Sequence, residues 1–125
     1  MSNAHGIHIL VDYTGFFPTV DNVSKWMILV MERAVDESSA NRVHSHVEVF
    51  DGIKSPPGFA AVVLLDESHL TAHCYSEKGW LSIDCFTCGA TDPSTIIDVL
   101  DKAIREASPK IKLEMRKSER RFTNG

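Results

Sequence analysis

The residues whose types and spacing could do chemistry lie in the middle of the chain. Glu67 and Ser68 are followed by a histidine five residues after the serine, His73, and by a cysteine twenty residues after it, Cys88. A serine hydroxyl next to a general base can attack the carbonyl of the preceding residue and convert that amide into an ester. These residue types within one segment suit a protein that cuts its own backbone between Glu67 and Ser68.

Such a cut would create a reactive carbonyl. Elimination of the ester leaves dehydroalanine at position 68, and its hydrolysis yields a pyruvoyl group that caps the downstream fragment. A ketone in that position forms a Schiff base with a substrate amine and accepts electrons during decarboxylation, as pyridoxal phosphate does. Because Glu-Ser pairs near a histidine are common, the spacing by itself leaves the chemistry open.

The wider segment from Glu67 to Gly89 (ESHLTAHCYSEKGWLSIDCFTCG) resembles, without a gap, the core of the small prokaryotic S-adenosylmethionine decarboxylases. The shared pattern is Glu-Ser-His-Leu-[Thr/Ser]-x-His, an aromatic-x-Glu-x-Gly-aromatic turn, and Asp-x-Phe-Thr-Cys-Gly. Weaker similarity covers most of the chain. The resemblance implies a self-processing, pyruvoyl-dependent decarboxylase of S-adenosylmethionine, whose product is the aminopropyl donor for spermidine synthesis.

The resemblance also implies a role for each residue of the motif. Ser68 is the precursor of the pyruvoyl group, and cleavage after Glu67 would leave fragments 1–67 and 68–125. His73 assists self-processing, which suits an imidazole that titrates near neutrality. Cys88 protonates the substrate α-carbon after carbon dioxide leaves. The family stacks aromatic rings on adenine and uses carboxylates to contact the ribose. The candidate substrate-binding residues are Phe50, Glu67, Tyr75 and Glu77.

The chain departs from the family pattern upstream of the cleavage serine. Relatives carry a serine eight residues before it, which helps to handle protons during self-cleavage, but this chain has Ala60 there. The connection from Asp51 to Gly58 is also longer than in relatives. We expect loss of the hydroxyl to slow processing by roughly tenfold to a thousandfold, unless Ser55 of that connection replaces it.

Two other functions stay open on the sequence. The same machinery could decarboxylate another amino acid, such as arginine or ornithine, if the pocket wall has changed with the longer connection. Alternatively, the chain is an uncleaved, inactive paralogue that regulates a partner enzyme, and Ala60 is the feature that supports this hypothesis.

Cys85 and Cys88 have the C-x-x-C spacing of redox and zinc sites. Residues three apart on a strand point to opposite faces, so the pair is poorly placed to form a disulfide. A zinc site built with His44 and His46 would lack the paired ligand spacing of known zinc motifs. We therefore expect no metal.

Turn signals and hydrophobic periodicity predict how these residues are positioned. The predicted strands are 6–13, 42–50, 59–65, 69–75, 80–86 and 111–122. The predicted helices run from an N-cap at Asp21 or Asn22 to about 37, and from Asp92-Pro93 to Pro109. This order predicts an α+β two-layer sandwich with both helices on one face of an antiparallel sheet. The other face would be sealed by a second copy, giving a homodimer with αββα layers.

Composition narrows the class of protein. At 125 residues the chain is expected to form one domain, and its net charge of −4 makes nucleic acid an unexpected partner. No apolar run approaches the roughly 20 residues that cross a bilayer, and residues 1–6 lack the features of a signal peptide. Three cysteines, an odd number, argue against a disulfide framework and for the cytoplasm.

Overall fold

The structure, a computed structural model, describes residues 5–124. Residues 1–4, most of the segment tested for a signal peptide, lie outside the described part. The elements within residues 5–124 are β1 (Gly6–Thr14), α1 (Val23–Asp36), β2 (Arg42–Phe50), β3 (Gly58–Leu65), β4 (Ser68–Tyr75), β5 (Trp80–Thr87), α2 (Pro93–Ala107) and β6 (Lys112–Arg121). The predicted order is confirmed, and the predicted strand bounds differ from these by at most one residue.

The strands form one sheet in the order β2-β3-β4-β5-β1-β6, and every neighbouring pair is antiparallel. Strands β2 to β5 follow one another as hairpins, and β1 lies between β5 and β6. The predicted α+β fold with an antiparallel sheet is confirmed.

The two faces of the sheet differ in burial. In β4, the side chains of Leu70, Ala72 and Cys74 are buried beneath the helices. The alternate positions of the same strand lie on the opposite face, which we call the open face, and are partly or fully exposed; they are His69, Thr71, His73 and Tyr75. Both helices pack on the buried face and contact each other, as the predicted two-layer arrangement requires.

Each helix begins at a capping side chain. Asn22 rather than Asp21 caps α1, and its side chain accepts a hydrogen bond from the Lys25 N–H. Its φ of 47° lies in the left-handed region, which asparagine tolerates better than most residues. Asp92 caps α2 by accepting from the Ser94 N–H at 3.0 Å. Neither helix in the described part is long and apolar enough to cross a membrane.

The edge strand β6 is highly charged, and several of its basic side chains are paired. Arg116 forms an ion pair with Asp98 at 2.9 Å, and Lys117 forms one with Glu119 at 2.8 Å. Charged side chains on an edge strand discourage pairing with the edge of another sheet.

Candidate active site

Ser68 is the first residue of β4 and directly follows a two-residue hairpin loop, Asp66 and Glu67. The Asp66 N–H donates to the carbonyl oxygen of Asn41 at 3.1 Å, which ties the loop to the start of β2. Glu67 is exposed and has a φ of 57°, a left-handed conformation that costs a residue with a Cβ about 1 kcal/mol. The bond predicted to break therefore lies at an exposed and strained turn.

Cys88 lies beside Ser68. The backbone N–H of Cys88 donates a hydrogen bond to Ser68 Oγ at 3.0 Å. The pairing of β4 with β5 explains this contact. His69 lies opposite Phe86, so Ser68, at the start of β4, lies next to the end of β5, just before Cys88. The structure thus brings together two of the three predicted catalytic residues.

Two threonines shape the turn that carries Cys88. Thr87 Oγ1 donates to the carbonyl oxygen of Thr91 at 2.6 Å, and both threonines are buried. Gly89 between them has a φ of 102°, a conformation that favours glycine. Sequence reasoning did not single out these threonines, although a pair spaced four residues apart between a strand and a helix was a visible signal.

The C-x-x-C pair is split by the fold. Cys85 is buried against the helices, and burial raises the pKa of its thiol to about 12, whereas Cys88 is only half-buried. His44 and His46 lie in the exposed positions of β2. No group of three or more His, Cys, Asp or Glu side chains within residues 5–124 is placed to hold a metal.

His73 belongs to a second group of side chains, on the open face. Its ring stacks on that of Tyr75 with centroids 5.0 Å apart and on that of Phe50 at 6.3 Å. Trp80 meets Tyr75 edge to face at 5.9 Å. We call these four residues the aromatic row. Phe50 and Tyr75, both predicted to bind substrate, therefore lie together with His73.

Ser68 and His73 do not meet within one chain. His73 lies five residues after Ser68 along β4, which is about 16 Å at the rise of a strand. By alternation Ser68 also lies on the side of Leu70, whereas His73 is on the open face. The predicted catalytic set is thus divided between the two ends of the same strand.

Glu77, the remaining predicted substrate-binding residue, lies in the exposed turn between β4 and β5. The turn is closed by the Gly79 N–H, which donates to the carbonyl oxygen of Tyr75 at 3.0 Å. A cavity of about 300 Å³ lies next to this turn and the aromatic row. It is lined by Asp12, Thr14, Tyr75, Trp80, Leu81, Ser82 and Glu114.

His8 lies near the candidate site, and sequence reasoning did not single it out. Its Nε2 lies 3.1 Å from Asp84 Oδ1, and its ring centroid lies 6.4 Å from that of His69, the neighbour of Ser68. Burial lowers the pKa of His69 below its ordinary value, and the nearby His8 adds to this effect. The histidine was visible in the first predicted strand, but no neighbouring residue in the sequence indicated that this strand would pair with β5.

Residues 7–117 match the family model described as S-adenosylmethionine decarboxylase. The chain belongs to the S-adenosylmethionine decarboxylase family. A proenzyme of this family from Thermoplasma volcanium is 35% identical over 104 residues, which cover 83% of this chain and 75% of the relative. A second proenzyme, from Bacillus cereus, is 36% identical over 109 residues, 86% of this chain and 85% of that relative.

The fold agrees with this membership of the decarboxylase family. The crystal structure of the adenosylmethionine decarboxylase from Aquifex aeolicus superimposes with a TM-score of 0.69 and 29% sequence identity. The match covers 94% of this chain and 91% of that one. The family resemblance seen in Glu67 to Gly89 is confirmed.

Proposed function

We propose that this protein is a self-processing, pyruvoyl-dependent decarboxylase of S-adenosylmethionine, whose product is the aminopropyl donor for spermidine synthesis. The observation that carries the proposal is the contact between Ser68 and Cys88 at a strained hairpin, in a chain of this family. The name proenzyme given to the relatives supports a precursor that is processed. These relatives do not favour the decarboxylation of arginine or ornithine, and they do not favour an inactive regulator.

The residues around position 68 fit a pyruvoyl group made in place. Ser68 Oγ adjoins the peptide bond that it would attack, and the Cys88 N–H donates to it, which leaves the hydroxyl proton free for transfer to a base. The left-handed strain at Glu67 is released when the bond breaks. The group would supply an electrophilic carbonyl that accepts electrons as carbon dioxide leaves the substrate.

Self-cleavage follows three balanced steps. Ser68 Oγ adds to the carbonyl carbon of Glu67 and loses its proton to a base, and the amide nitrogen leaves with a proton, which gives an ester. A base then takes the Cα proton of residue 68, the Cβ–Oγ bond breaks, and Glu67 departs as a carboxylate. Addition of water to the resulting dehydroalanine releases ammonia and leaves the pyruvoyl group.

The base for these transfers is His73 of a second copy of the chain. Because His73 is about 16 Å from Ser68 along its own strand, a second copy has to supply it. In the proposed dimer the two open faces pack together about a two-fold axis that lies between the sheets, over Leu70 and Thr71, and each His73 acts on the Glu67–Ser68 bond of the other copy. Exposed apolar side chains support burial of this face: Leu64, Tyr75 and Trp80. The working unit is therefore a homodimer with αββα layers.

The remaining predicted residues act on the substrate. The Cys88 thiol, half-buried beside position 68, donates a proton to the substrate α-carbon. Phe50 and Tyr75 of the aromatic row stack on adenine, and Glu77 contacts the ribose. Glu67 lines the site as the new end of the upstream fragment. All three cysteines in the described residues are free thiols, which supports a reducing compartment, the cytoplasm.

Intact-mass measurement of the purified protein tests this function. We expect two fragments, 1–67 and 68–125, with pyruvoyl at the start of the second, because Ser68 attacks the bond before it. Ser68→Ala should remain a single chain. Release of labelled carbon dioxide should follow from carboxyl-labelled S-adenosylmethionine and not from labelled arginine or ornithine. A wild-type chain that stays intact after prolonged incubation would exclude the proposal.

A further inference from the structure

His73 has a different neighbour on each of its two flanking strands. In the register of the sheet, Ala60 of β3 lies opposite His73 on one side, and Ser82 of β5 lies opposite it on the other. All three occupy the open face, and all three line one shallow cavity of about 350 Å³. The family resemblance implies a processing serine at position 60, where this chain has Ala60, and Ser82 supplies a hydroxyl on the other side of His73.

Within residues 5–124, neither polar group is engaged elsewhere. Among residues 5–124, the Ser82 hydroxyl has no hydrogen-bond partner, and the His73 ring makes only its stacking contacts with Phe50 and Tyr75. Directly opposed residues of an antiparallel pair have Cβ atoms about 5 Å apart. Rotation about the Ser82 Cα–Cβ bond therefore brings its hydroxyl within reach of the imidazole.

We propose that Ser82 replaces the hydroxyl missing at position 60 and is the positioning residue for His73 during self-cleavage. The inference rests on the proposed function, because it assigns a partner to the base of that reaction. A hydrogen bond from one ring nitrogen to Ser82 fixes the imidazole, and the other nitrogen is then free to take the protons released by Ser68 of the second copy. No bond to Ser82 forms or breaks.

The structure does not support Ser55 in this role. Ser55 lies on the exposed connection three residues before Gly58, and Gly58 pairs with Tyr75 rather than with His73. The adjacent Pro56 and Pro57 restrict that connection. The sequence offered Ser55 of the longer connection as one substitute, whereas sheet register places Ser82, from the next hairpin, opposite the histidine.

The test measures the rate of self-cleavage after synthesis of the uncleaved chain, by intact mass. We expect Ser82→Ala to slow cleavage by roughly tenfold to a thousandfold, the range for loss of one positioned hydrogen bond. Ser82→Thr, which keeps the hydroxyl, should cleave at nearly the wild-type rate. Ser118→Ala serves as the matched control, because Ser118 lies on β6 opposite Ile9 and away from His73.

The decisive variant moves the hydroxyl across His73. Ala60→Ser combined with Ser82→Ala should regain most of the lost rate, because the serine at position 60 flanks the same ring from β3. A variant that was merely misfolded would not be rescued by this second substitution. Thermal unfolding of each variant in the Ser68→Ala background shows whether the fold is retained.

The possible results separate this inference from the proposed function. If wild type and Ser82→Ala cleave at equal rates, or if the double variant stays as slow as Ser82→Ala, Ser82 has no such role and the proposed function stands. If wild type stays intact but Ala60→Ser cleaves, the proposed function fails for the natural chain and Ser82 does not replace the missing hydroxyl, although Ser68 and His73 are competent. If neither cleaves, the proposed function fails and the inference fails with it.

Discussion

At the scale of single residues, Cys88 contributes to the site through two different atoms. Its backbone N–H holds Ser68 Oγ at 3.0 Å, whereas its half-buried thiol makes no hydrogen bond within residues 5–124. In the proposed mechanism the backbone contact serves self-cleavage, and the thiol is left for the substrate. Substitution of the side chain should therefore separate the two reactions.

Cys88→Ala should keep self-cleavage close to the wild-type rate, because the N–H that contacts Ser68 is unchanged. Turnover should fall by about 10² to 10⁴, the contribution of a positioned proton donor. Misplaced protonation should also replace pyruvoyl by alanine at the start of fragment 68–125. Mass spectrometry of the fragments and carbon dioxide release measure both effects. Loss of cleavage in this variant would assign the Ser68 contact to the thiol instead.

At the scale of elements, the connection that carries Cys88 is anchored where α2 begins. Thr87 bonds to Thr91, and Asp92 then caps the helix by accepting from the Ser94 N–H. The turn beside Ser68 is thus fixed at one end by β5 and at the other by the first turn of α2. Stability of the helix cap and geometry of the site are linked through this short segment.

Asp92→Ala should lower the free energy of unfolding by about 1 kcal/mol, because the Ser94 N–H loses its acceptor. The midpoint of thermal unfolding should fall by about 4 °C for a chain of this size. Urea unfolding in the uncleaved Ser68→Ala background measures the change. Asp92→Asn is the matched control, since asparagine caps as well as aspartate, and an equal loss in both variants would contradict a capping role.

At the scale of the whole molecule, the proposed homodimer would bury the open face, which exposes Leu64, at 42%, next to His69. Wild type should sediment at twice the chain mass, and Leu64→Glu should shift it to monomer, since a carboxylate would be buried without a partner. Leu29→Glu is the matched control, because Leu29 is similarly exposed, at 54%, but lies on α1. A wild-type monomer that cleaves and turns over would refute the dimer.

In the proposed homodimer, self-cleavage is a reaction between two chains. Ser68→Ala and His73→Ala should each stay intact alone. Unfolded together and refolded, they should form mixed dimers in which the His73→Ala chain is cut by the histidine of its partner. If the mixture stays uncut although mixed dimers form, His73 acts within its own chain.

Local patterns were sufficient for much of this fold and part of the site. Alternation with period two and the turn at Ser76–Gly79 predicted β4 and β5, and Asp92-Pro93 predicted the start of α2. These signals depend on residues close in sequence, so tertiary structure did not alter them. The motif around Ser68 and Cys88 also lies within one hairpin and its flank, and for that reason its two ends meet.

Only the tertiary structure decided which strands became neighbours and in what register. Insertion of β1 beside β5 brought His8 to Asp84, and the pairing of β3, β4 and β5 placed Ala60 and Ser82 on either side of His73. The rise of β4 separated Ser68 from His73, although the two look adjacent in sequence. Register is set by how buried side chains from distant segments pack under the helices, and a local pattern does not contain that information.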